Sequence, residues 1–264
     1  MIHIDQFTWR LGNQLFQLAA AINLAEENLD KVSFPEWKYA KYFEGNFGPV
    51  KFIRDNIASI YIEPQFAYNK IPYCRNMAIN GYFQSDKYFK NSSRLIKKMF
   101  KLKDEYQIQP EKKTCSIHVR RTDYIELNQH FHTLTIADYY RTAIDWAELF
   151  SGGIDKFYVM SDDIEWCAKE FCLCDGDYVN AWCPVHSNND KIDFFRGQNE
   201  IHDFAKMQSC SHNIIANSSY SWWAAYLNPN PDKLVFAPDH AKWFGPALHF
   251  HDTKDLIPKE WTRL

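Results

Sequence analysis

The sequence contains no hydrophobic run long enough to cross a membrane, and this absence limits the classes of protein to which it can belong. A spanning helix needs about 18–20 predominantly apolar residues in succession, and no stretch of the 264 residues reaches that length. The opening segment MIHIDQFTWRLGNQ also lacks a basic region followed by an apolar one, the pattern of an export signal. Seven cysteines, an odd number, favour reduced thiols over disulfides. We therefore expect a cytoplasmic protein without a membrane span.

Positive charge and glycine are also in short supply. Lys and Arg number 30 against 33 Asp and Glu, a formal charge of -3, so no general positive field is available to bind a nucleic-acid backbone. With only 9 glycines, the chain has neither a G-x-x-x-x-G-K-[ST] phosphate loop nor a G-x-G-x-x-G fingerprint, and a G-x-S-x-G nucleophile elbow is absent as well. Chemistry is therefore expected to depend on side chains and helix ends, without a nucleic-acid partner.

What the sequence does contain is the composition of a folded protein, with 46% hydrophobic and 17% aromatic residues. From Lys113 onward, strand-like segments alternate with helix-like ones. The predicted strands are TCSIHV, KFYVM, a segment near 178–182, HNIIAN and KLVFAP. Between them we predict helices over 136–150, after Ser161, around 201–208 and from Ser221, because apolar residues recur there every three or four positions. This alternation predicts an α/β fold with a parallel sheet covered on both faces.

The first part of the chain is less regular. Residues 1–7 predict a strand, a turn is expected around Gly12 and Asn13, and the apolar segment LFQLAAAINLAEENL predicts a helix packed on a sheet. Regular alternation begins near Pro110. We therefore predict two domains, 1–110 and 111–264.

Polar side chains follow three of the predicted strands, where ligands bind in open α/β sheets. The first strand end carries a pair of guanidinium groups, the second a hydroxyl with carboxylates, and the third an amide with two hydroxyls. Each set suits a nucleotide diphosphate. The residues are Arg120, Arg121, Thr122 and Asp123 after TCSIHV; Ser161, Asp162 and Asp163 after KFYVM; and Asn217, Ser218 and Ser219 after HNIIA.

Adjacent arginines on an extended chain cannot both project in one direction. Arg120 is predicted to bind the diphosphate, because a guanidinium offers a fixed fork of donors and a permanent charge. Arg121 is then expected to brace the loop or to pair with a carboxylate. The alternative is that both form a surface salt-bridge pair.

The other two strand ends also allow structural interpretations. Backbone N–H groups and hydroxyls at the start of SWWAAYL could bind anionic oxygens, or Ser218 and Ser219 could serve as an ordinary N-cap. Adjacent Asp162 and Asp163 do not face one another, so we predict a cap, with Asp162 three residues before Glu165, and one carboxylate reaching the nucleotide, and no metal site.

The cysteines of the second half do not predict a zinc site. Their spacing, C-x4-C-x-C-x8-C with a nearby histidine, lacks the paired C-x2-C knuckles of structural zinc sites, so buried thiols are favoured. The residues are Cys167, Cys172, Cys174, Cys183 and His186.

Five segments, in order along the chain, resemble the family 11 glycosyltransferases, the alpha-1,2-fucosyltransferases that use GDP-L-fucose. The segments are LGNQLFQLA (11–19), NGYFQSDKYF (80–89), HVRRTDY (118–124), FYVMSDDIEWC (157–167) and NIIANSSYSWWAAYL (213–227). The resemblance implies a GT-B fold of two Rossmann-like halves with the nucleotide-sugar cleft between them. The N-terminal half would contribute acceptor contacts and the C-terminal half would hold GDP.

The same resemblance implies inverting, metal-independent transfer of fucose to a galactose-terminated glycan. The matching Arg120 would hold the diphosphate. His118, Arg121, Ser161, Asp162, Asp163, Asn217, Ser218 and Ser219 would help to hold the donor, and Gly12, Asn13 and Gln14 match an N-terminal loop expected to close over it. The chain also resembles bacterial or viral forms, which lack the membrane anchor of the animal enzymes.

Two features of this sequence leave alternatives open. Members of the family usually carry two glycines before the leucine of the N-terminal motif, whereas this chain has Trp9 and Arg10. Bulky residues prevent the close backbone approach that glycine permits, so another GDP-deoxysugar is an alternative donor. A nucleotide-sugar or glycan-binding protein without catalysis is a second alternative, disfavoured because HVRRTDY and NSSYSWW are intact.

The general base for the acceptor hydroxyl is not unique in the sequence. Asp123 is the first candidate, because it lies beside the arginines, and pairing with Arg121 is its structural alternative. Other titratable side chains lie in the segment that follows, namely Glu126, His130 and His132. Trp222, Trp223 and Trp243 could stack on sugars, although a tryptophan pair on a sheet-packed helix is more often part of a core.

Overall fold

The computed structural model describes residues 1–48, 57–172 and 191–264, and their contacts divide the chain into two compact units. Unit 1 comprises Met1–Glu105 and His251–Pro258, and unit 2 comprises Tyr106–Phe250 and Lys259–Leu264. The first division lies within a few residues of Pro110. The return of residues 251–258 to unit 1 has no counterpart in the sequence-based division. The strand predicted near 178–182 lies outside the described residues.

Unit 1 is built on a sheet in which all neighbouring strands are parallel, in the order β2-β1-β4-β3. The strands are β1 (Ile2–His3), β2 (Val32–Ser33), β3 (Ser59–Ile62) and β4 (Met77–Asn80). The helices are α1 (Leu11–Glu27) and α2 (Ser93–Met99), with single 3-10 turns at Ala40–Tyr42, Asp86–Tyr88 and Asp104–Tyr106.

Helix α1 begins earlier than the sequence predicted. Gly12, Asn13 and Gln14 lie in its first turn, so the turn expected around Gly12 and Asn13 is wrong. The preceding strand is also shorter than expected, because only Ile2–His3 pair with neighbouring strands. Most residues from Leu11 to Ala25 are buried, as expected for a helix that is apolar around most of its circumference.

The returning segment is held in unit 1 by polar contacts at Asp255. The Ser85 hydroxyl donates to the Asp255 carbonyl oxygen at 2.6 Å, and the Tyr68 N–H donates to the Asp255 carboxylate at 3.2 Å. Lys87 forms an ion pair with the same carboxylate. Residues far apart in sequence therefore complete unit 1.

Unit 2 contains the second all-parallel sheet, in the order β10-β9-β8-β5-β6-β7. Its strands are β5 (Glu111–Val119), β6 (Lys156–Ser161), β7 (Ile192–Phe194), β8 (Cys210–Ile214), β9 (Val235–Ala237) and β10 (Thr262–Arg263). Its helices are α3 (Thr122–Glu126), α4 (Arg141–Ser151), α5 (Ile164–Cys172), α6 (Glu200–Ser209) and α7 (Ser219–Leu227), with 3-10 turns at His240–Lys242 and Pro246–Leu248.

The helix predicted over 136–150 consists of a π-helical segment, Ile136–Tyr140, that continues into α4. Thr135 and Asp138 form a reciprocal capping box at its start. The Tyr139 hydroxyl lies 2.7 Å from the Ile215 carbonyl and 2.9 Å from that of Phe236. This buried contact fixes the helix against the ends of β8 and β9.

Trp222 and Trp223 of α7 are fully buried, with ring centroids 5.1 Å apart in an edge-on arrangement. Trp243 is buried as well. The core interpretation of the pair Trp222 and Trp223 is therefore correct, and none of the three tryptophans presents a face to a sugar. No helix in the three described ranges is long and apolar enough to cross a membrane.

Candidate functional site

The order of the strands places the predicted residues of unit 2 at one point of the sheet. In the sheet, β6 and β7 lie on one side of β5, and β8, β9 and β10 lie on the other side. The crevice between β5 and β8 is thus a topological switch point, where open α/β sheets bind ligands beyond the carboxyl ends of the strands. Arg120 follows β5 directly and Asn217 follows β8, so both loops end there.

The Arg120 guanidinium is held by two carboxylates. Its Nη2 lies 2.6 Å from Asp123 Oδ2 and its Nη1 lies 2.9 Å from Asp162 Oδ2. The side chain is 15% exposed, so solvent screens these contacts little. A guanidinium carries five N–H donors, and two carboxylate contacts leave others for a ligand. The side chain is therefore fixed in direction while still able to bind an anion.

Asp162 is the anchor of the loop after β5. Its carboxylate accepts hydrogen bonds from the N–H of Arg121 at 2.9 Å, the N–H of Thr122 at 3.2 Å and the Thr122 hydroxyl at 2.5 Å. With the Arg120 contact, four donors from three consecutive residues converge on one side chain. The end of β6 thus sets the conformation of the loop at the end of β5.

Arg121 points to a different set of partners. Its Nε donates to Asp163 Oδ2 at 3.1 Å, and its guanidinium carbon lies 3.7 Å from the centroid of the Trp166 ring. The expectation that one arginine of the pair braces the loop is met by Arg121. Asp163 also accepts from the Trp166 N–H at 3.3 Å, which caps α5. The cap predicted at Asp162 is therefore wrong, because Asp163 occupies that position.

Ser161 ends β6 and supports this corner. Its hydroxyl oxygen accepts from the Asp163 N–H at 2.9 Å.

His118 lies on β5, two residues before Arg120, and is buried. Burial, reinforced by the Arg120 charge and opposed by that of Asp162, lowers the pKa of His118 to about 4. Its imidazole is therefore neutral at pH 7, and its Nδ1 atom has no hydrogen-bond partner within the described ranges. A buried nitrogen without a partner suits a ligand that supplies one.

The loop after β8 is tied to the loop after β5. The Asn217 amide donates to the carbonyls of His132 at 2.8 Å and Trp243 at 2.9 Å, and its own backbone carbonyl accepts from the Tyr124 hydroxyl at 2.9 Å. Asn217 Oδ1 is buried and has no partner among the residues described. The next residue, Ser218, caps α7 by accepting from the Tyr220 N–H at 3.4 Å, and Ser219 is the first residue of that helix.

Asp123 contacts Arg120, not Arg121, so the partner expected for its structural interpretation is wrong. Its second oxygen, Oδ1, is buried without a partner in the part of the chain that the structure describes. Of the other base candidates, Glu126 and His130 are exposed, and His132 lies 3.3 Å from Asp138. Asp123 is therefore the base candidate in direct contact with Arg120.

The N-terminal motif, residues 11–19, belongs to unit 1. Both ends of the Gln14 amide are used within the unit: Nε2 donates to the Trp9 carbonyl at 2.8 Å and Oε1 accepts from the Trp37 indole at 2.9 Å. Asn13 Oδ1 accepts from Gln84 at 2.9 Å. Because Gly12, Asn13 and Gln14 are helical, the expected loop is not formed by these residues.

Cys167 is a buried free thiol, as predicted, whereas Cys174, Cys183 and His186 lie outside the described residues and the side chain of Cys172 is not described. Within the described ranges, no group of three His, Cys, Asp or Glu side chains is arranged to hold a metal ion.

Three residues that shape this site had no individual role predicted from the sequence. Thr122 and Tyr124 form the hydrogen bonds described above, and Trp166 supports the Arg121 guanidinium. Thr122 and Tyr124 belong to the segment HVRRTDY, so their position beside the arginines was the available signal.

Comparison with known proteins identifies the family of the chain. The model of the family "Glycosyl transferase family 11" matches residues 6–263. Half of this chain matches the O-antigen biosynthesis glycosyltransferase WbnK of Escherichia coli at 40% identity, a match that spans 39% of that protein. The alpha-1,2-colitosyltransferase of Escherichia coli is 27% identical over 96% of both chains. Galactoside alpha-(1,2)-fucosyltransferase 2 of Oryctolagus cuniculus is 23% identical over 89% of this chain and 74% of its own.

Among solved structures, POFUT1 in complex with GDP aligns with a TM-score of 0.50 at 10% identity, covering 88% of this chain and 95% of that chain. This likeness concerns the fold. The predicted α/β class of GT-B type, with two Rossmann-like halves, is confirmed. The family model covers nearly the whole chain, and this protein therefore belongs to glycosyltransferase family 11.

Proposed function

We propose that this family 11 glycosyltransferase transfers L-fucose from GDP-L-fucose to the 2-hydroxyl of a terminal galactose-like sugar, with inversion. The observation that carries the proposal is the Arg120 guanidinium, fixed by Asp123 and Asp162 at the switch point of the unit 2 sheet. In this proposal unit 2, which contains most of 111–264, holds GDP. Unit 1 contributes acceptor contacts.

The reaction breaks one bond and forms one. The acceptor oxygen attacks the anomeric carbon of fucose, the bond from that carbon to the phosphate oxygen breaks, and GDP departs with the electron pair. The acceptor hydroxyl gives its proton to a general base, for which Asp123 is the first candidate. Negative charge grows on the diphosphate as the bond stretches, and a preorganised guanidinium in a sheltered site stabilises that charge without reorganising.

The carboxylates around Arg120 have a positioning role in this proposal. Asp162 fixes the loop and one side of the guanidinium, and Asp123 fixes the other. Asp123 also stays the first candidate for the general base, because its Oδ1 atom is not used by Arg120. The two roles of Asp123 can be separated by substitution. Asp123→Asn removes the basic carboxylate but keeps the shape of the side chain that positions Arg120.

The remaining groups suit the nucleotide. His118 Nδ1 and Asn217 Oδ1 are buried polar atoms without a hydrogen-bond partner among the described residues, one on each side of the switch point. The start of α7, with Ser218 and Ser219, offers backbone N–H groups to anionic oxygens. We therefore assign donor binding to these residues together with Ser161, Arg121 and Asp163, which hold the neighbouring loops.

The test is GDP release from GDP-L-fucose with and without lactose, followed by NMR of the product linkage. Arg120→Ala is expected to lower turnover by about 10²–10³-fold, by comparison with other donors to a developing anion. Arg120→Lys keeps the positive charge but loses the forked arrangement of donors, so its turnover should lie between that of wild type and that of Arg120→Ala. Arg141→Ala, at an exposed arginine of α4, is the matched control and should leave turnover unchanged.

Lactose-stimulated release that is lost in Arg120→Ala and retained in Arg141→Ala would support the proposal. Tight GDP binding with no release from any GDP-sugar would instead favour the binding-protein alternative. Turnover by Arg120→Ala equal to wild type would remove Arg120 from the mechanism.

A second candidate donor is favoured by one comparison, the alpha-1,2-colitosyltransferase that aligns over 96% of both chains. Colitose is L-fucose without its 3-hydroxyl, so the two donors differ by a single polar group. Sites built to hydrogen-bond a hydroxyl reject the analogue that lacks it by about 10⁴-fold or more. Comparing kcat/KM for GDP-fucose, GDP-colitose, GDP-rhamnose and GDP-mannose therefore separates the two proposals.

A further inference from the structure

Trp9 is the most exposed tryptophan in the described part of the chain. Its side chain is 65% exposed, whereas the other described tryptophans are buried in cores, covered by Arg121 in the case of Trp166, or 38% exposed in the case of Trp146. A large aromatic side chain that stays in water does not contribute the stabilisation of about 1.5–3 kcal/mol that its burial would give. A tryptophan held in this way calls for a functional explanation.

The backbone at Trp9 is in the left-handed region, with φ of 57°. This conformation disfavours residues other than glycine. The side chain is nevertheless fixed, since the indole Nε1 donates to the Tyr82 hydroxyl at 3.0 Å and the Trp9 carbonyl accepts from Gln14 at 2.8 Å. The ring is therefore preorganised on the surface of unit 1.

One buried amide joins the segment of Trp9 to that of Tyr82. Gln17 accepts from the Thr8 N–H at 3.1 Å and donates to the Gly81 carbonyl at 3.0 Å. It is almost completely buried, so both contacts are protected from water. Gln17 therefore holds the segments of the two aromatic residues together.

Glu63 fixes the Tyr82 side of this element. Its carboxylate accepts from the Tyr82 N–H at 2.7 Å and from the Phe83 N–H at 3.1 Å. A side chain at Gly81 would place its Cβ 2.4 Å from Glu63 Cβ, so only glycine allows this approach. Tyr82 remains 39% exposed beside Trp9.

We infer that Trp9 and Tyr82, the aromatic platform, stack against the terminal β-galactoside of the acceptor glycan. This inference rests on the proposed function and deepens it. The axial hydroxyl of galactose leaves the C–H groups at C3, C4 and C5 together on one face, and an indole ring binds such an apolar face. The Tyr82 hydroxyl is neutral and belongs to a residue that is 39% exposed, so it suits a sugar hydroxyl.

The surroundings of Tyr82 favour the acceptor over the donor diphosphate, although the exposed Arg10 adds a positive charge beside Trp9. Glu63 lies directly behind Tyr82, and a carboxylate there repels phosphate oxygens. The ion-paired arginines that suit a diphosphate belong to unit 2.

The experiment measures galactoside binding without donor. Saturation-transfer NMR and tryptophan fluorescence are recorded on the full chain with methyl β-D-galactopyranoside and lactose, and methyl β-D-glucopyranoside serves as the epimer control. Trp9→Gly relaxes the backbone, so it should fold at least as stably as wild type. It is expected to weaken galactoside binding by about tenfold. Trp146→Ala, which removes the other partly exposed tryptophan, should leave binding unchanged.

Steady-state kinetics supply the second measurement. Trp9→Gly should raise the KM for lactose by about tenfold while the KM for GDP-fucose stays within twofold. Tyr82→Phe removes the acceptor of the indole N–H and should give a smaller effect in the same direction. Equal galactoside binding by Trp9→Gly and wild type, or a rise confined to the donor KM, would overturn the inference. Absence of turnover with GDP-fucose would refute the proposed donor and leave the donor-free binding result intact.

Discussion

Asp162→Asn provides the sharpest test of the loop after β5. The substitution preserves size but removes the charge and one acceptor oxygen, while four donors still converge on the side chain: the N–H groups of Arg121 and Thr122, the Thr122 hydroxyl and the Arg120 guanidinium. Hydrogen bonds to charged groups contribute about 1.5–3 kcal/mol each in favourable cases. Because Asp162 is partly exposed and its amide replacement keeps one acceptor, we expect a net loss of about 2 kcal/mol.

A loss of this size is measurable by thermal unfolding. For a chain of this length it corresponds to a decrease in Tm of about 4–8 °C. The effect on catalysis should be larger than the effect on stability, since displacement of a catalytic group by about 1 Å costs on the order of 10²-fold in rate. We therefore expect kcat/KM to fall about 10²-fold, with GDP affinity weakened in parallel.

Asp163→Asn is the matched control, because it loses one ion pair and keeps an oxygen to cap α5. A decrease of about 1 kcal/mol and a rate effect below tenfold are expected there. If Asp162→Asn melts within 1 °C of wild type and turns over normally, the idea that Asp162 sets the position of Arg120 is refuted.

Three further outcomes are expected. The pKa of His118 is lowered to about 4 from 6.5, so as the pH falls the unfolded chain takes up a proton before the folded chain does. Between pH 7.5 and 4.5 the free energy of unfolding, measured by urea titration, should therefore fall by ~2–3 kcal/mol more in wild type than in His118→Gln. Parallel curves of the free energy of unfolding against pH would contradict this. Tyr139→Phe removes a hydroxyl shared by two buried carbonyls and should cost about 1–2 kcal/mol in chemical denaturation; an unchanged midpoint would argue against the contact. Gly81→Ala should cost about 1–3 kcal/mol. Gly48→Ala, whose Cβ among the described residues meets only an asparagine oxygen at 3.2 Å, should be nearly neutral by the same assay, and equal effects would disprove the close approach to Glu63.

Periodic segments and strand ends could be predicted because they depend on local pattern. The strands TCSIHV and KFYVM and the apolar face of the 136–150 helix are encoded in adjacent residues, and the parallel sheet follows from their alternation. The family resemblance pointed to the same strand ends. Arg120 and Asp162 were therefore found before their contacts were known.

Pairings between distant residues were not predictable in this way. Nothing local distinguishes Asp162 from Asp163 as the cap of α5, because that choice depends on the loop of Arg121 and Thr122 packing alongside. The start of α1 was misplaced for a similar reason: Gly12 and Asn13 suggest a turn by their intrinsic preferences, and tertiary burial overrides those preferences.

The return of residues 251–258 to unit 1 has a consequence for folding during synthesis. Most of unit 1 is synthesised before unit 2, yet the partner of Ser85, Tyr68 and Lys87 is Asp255, which is made about 150 residues after Glu105. At roughly 5–20 residues per second, that interval is on the order of 10–30 s. During this time the Ser85 hydroxyl and the Tyr68 amide must bind water or other partners. Nascent unit 1 is therefore completed only after residues 251–258 have been synthesised, and this interval is the one in which a holdase would protect it.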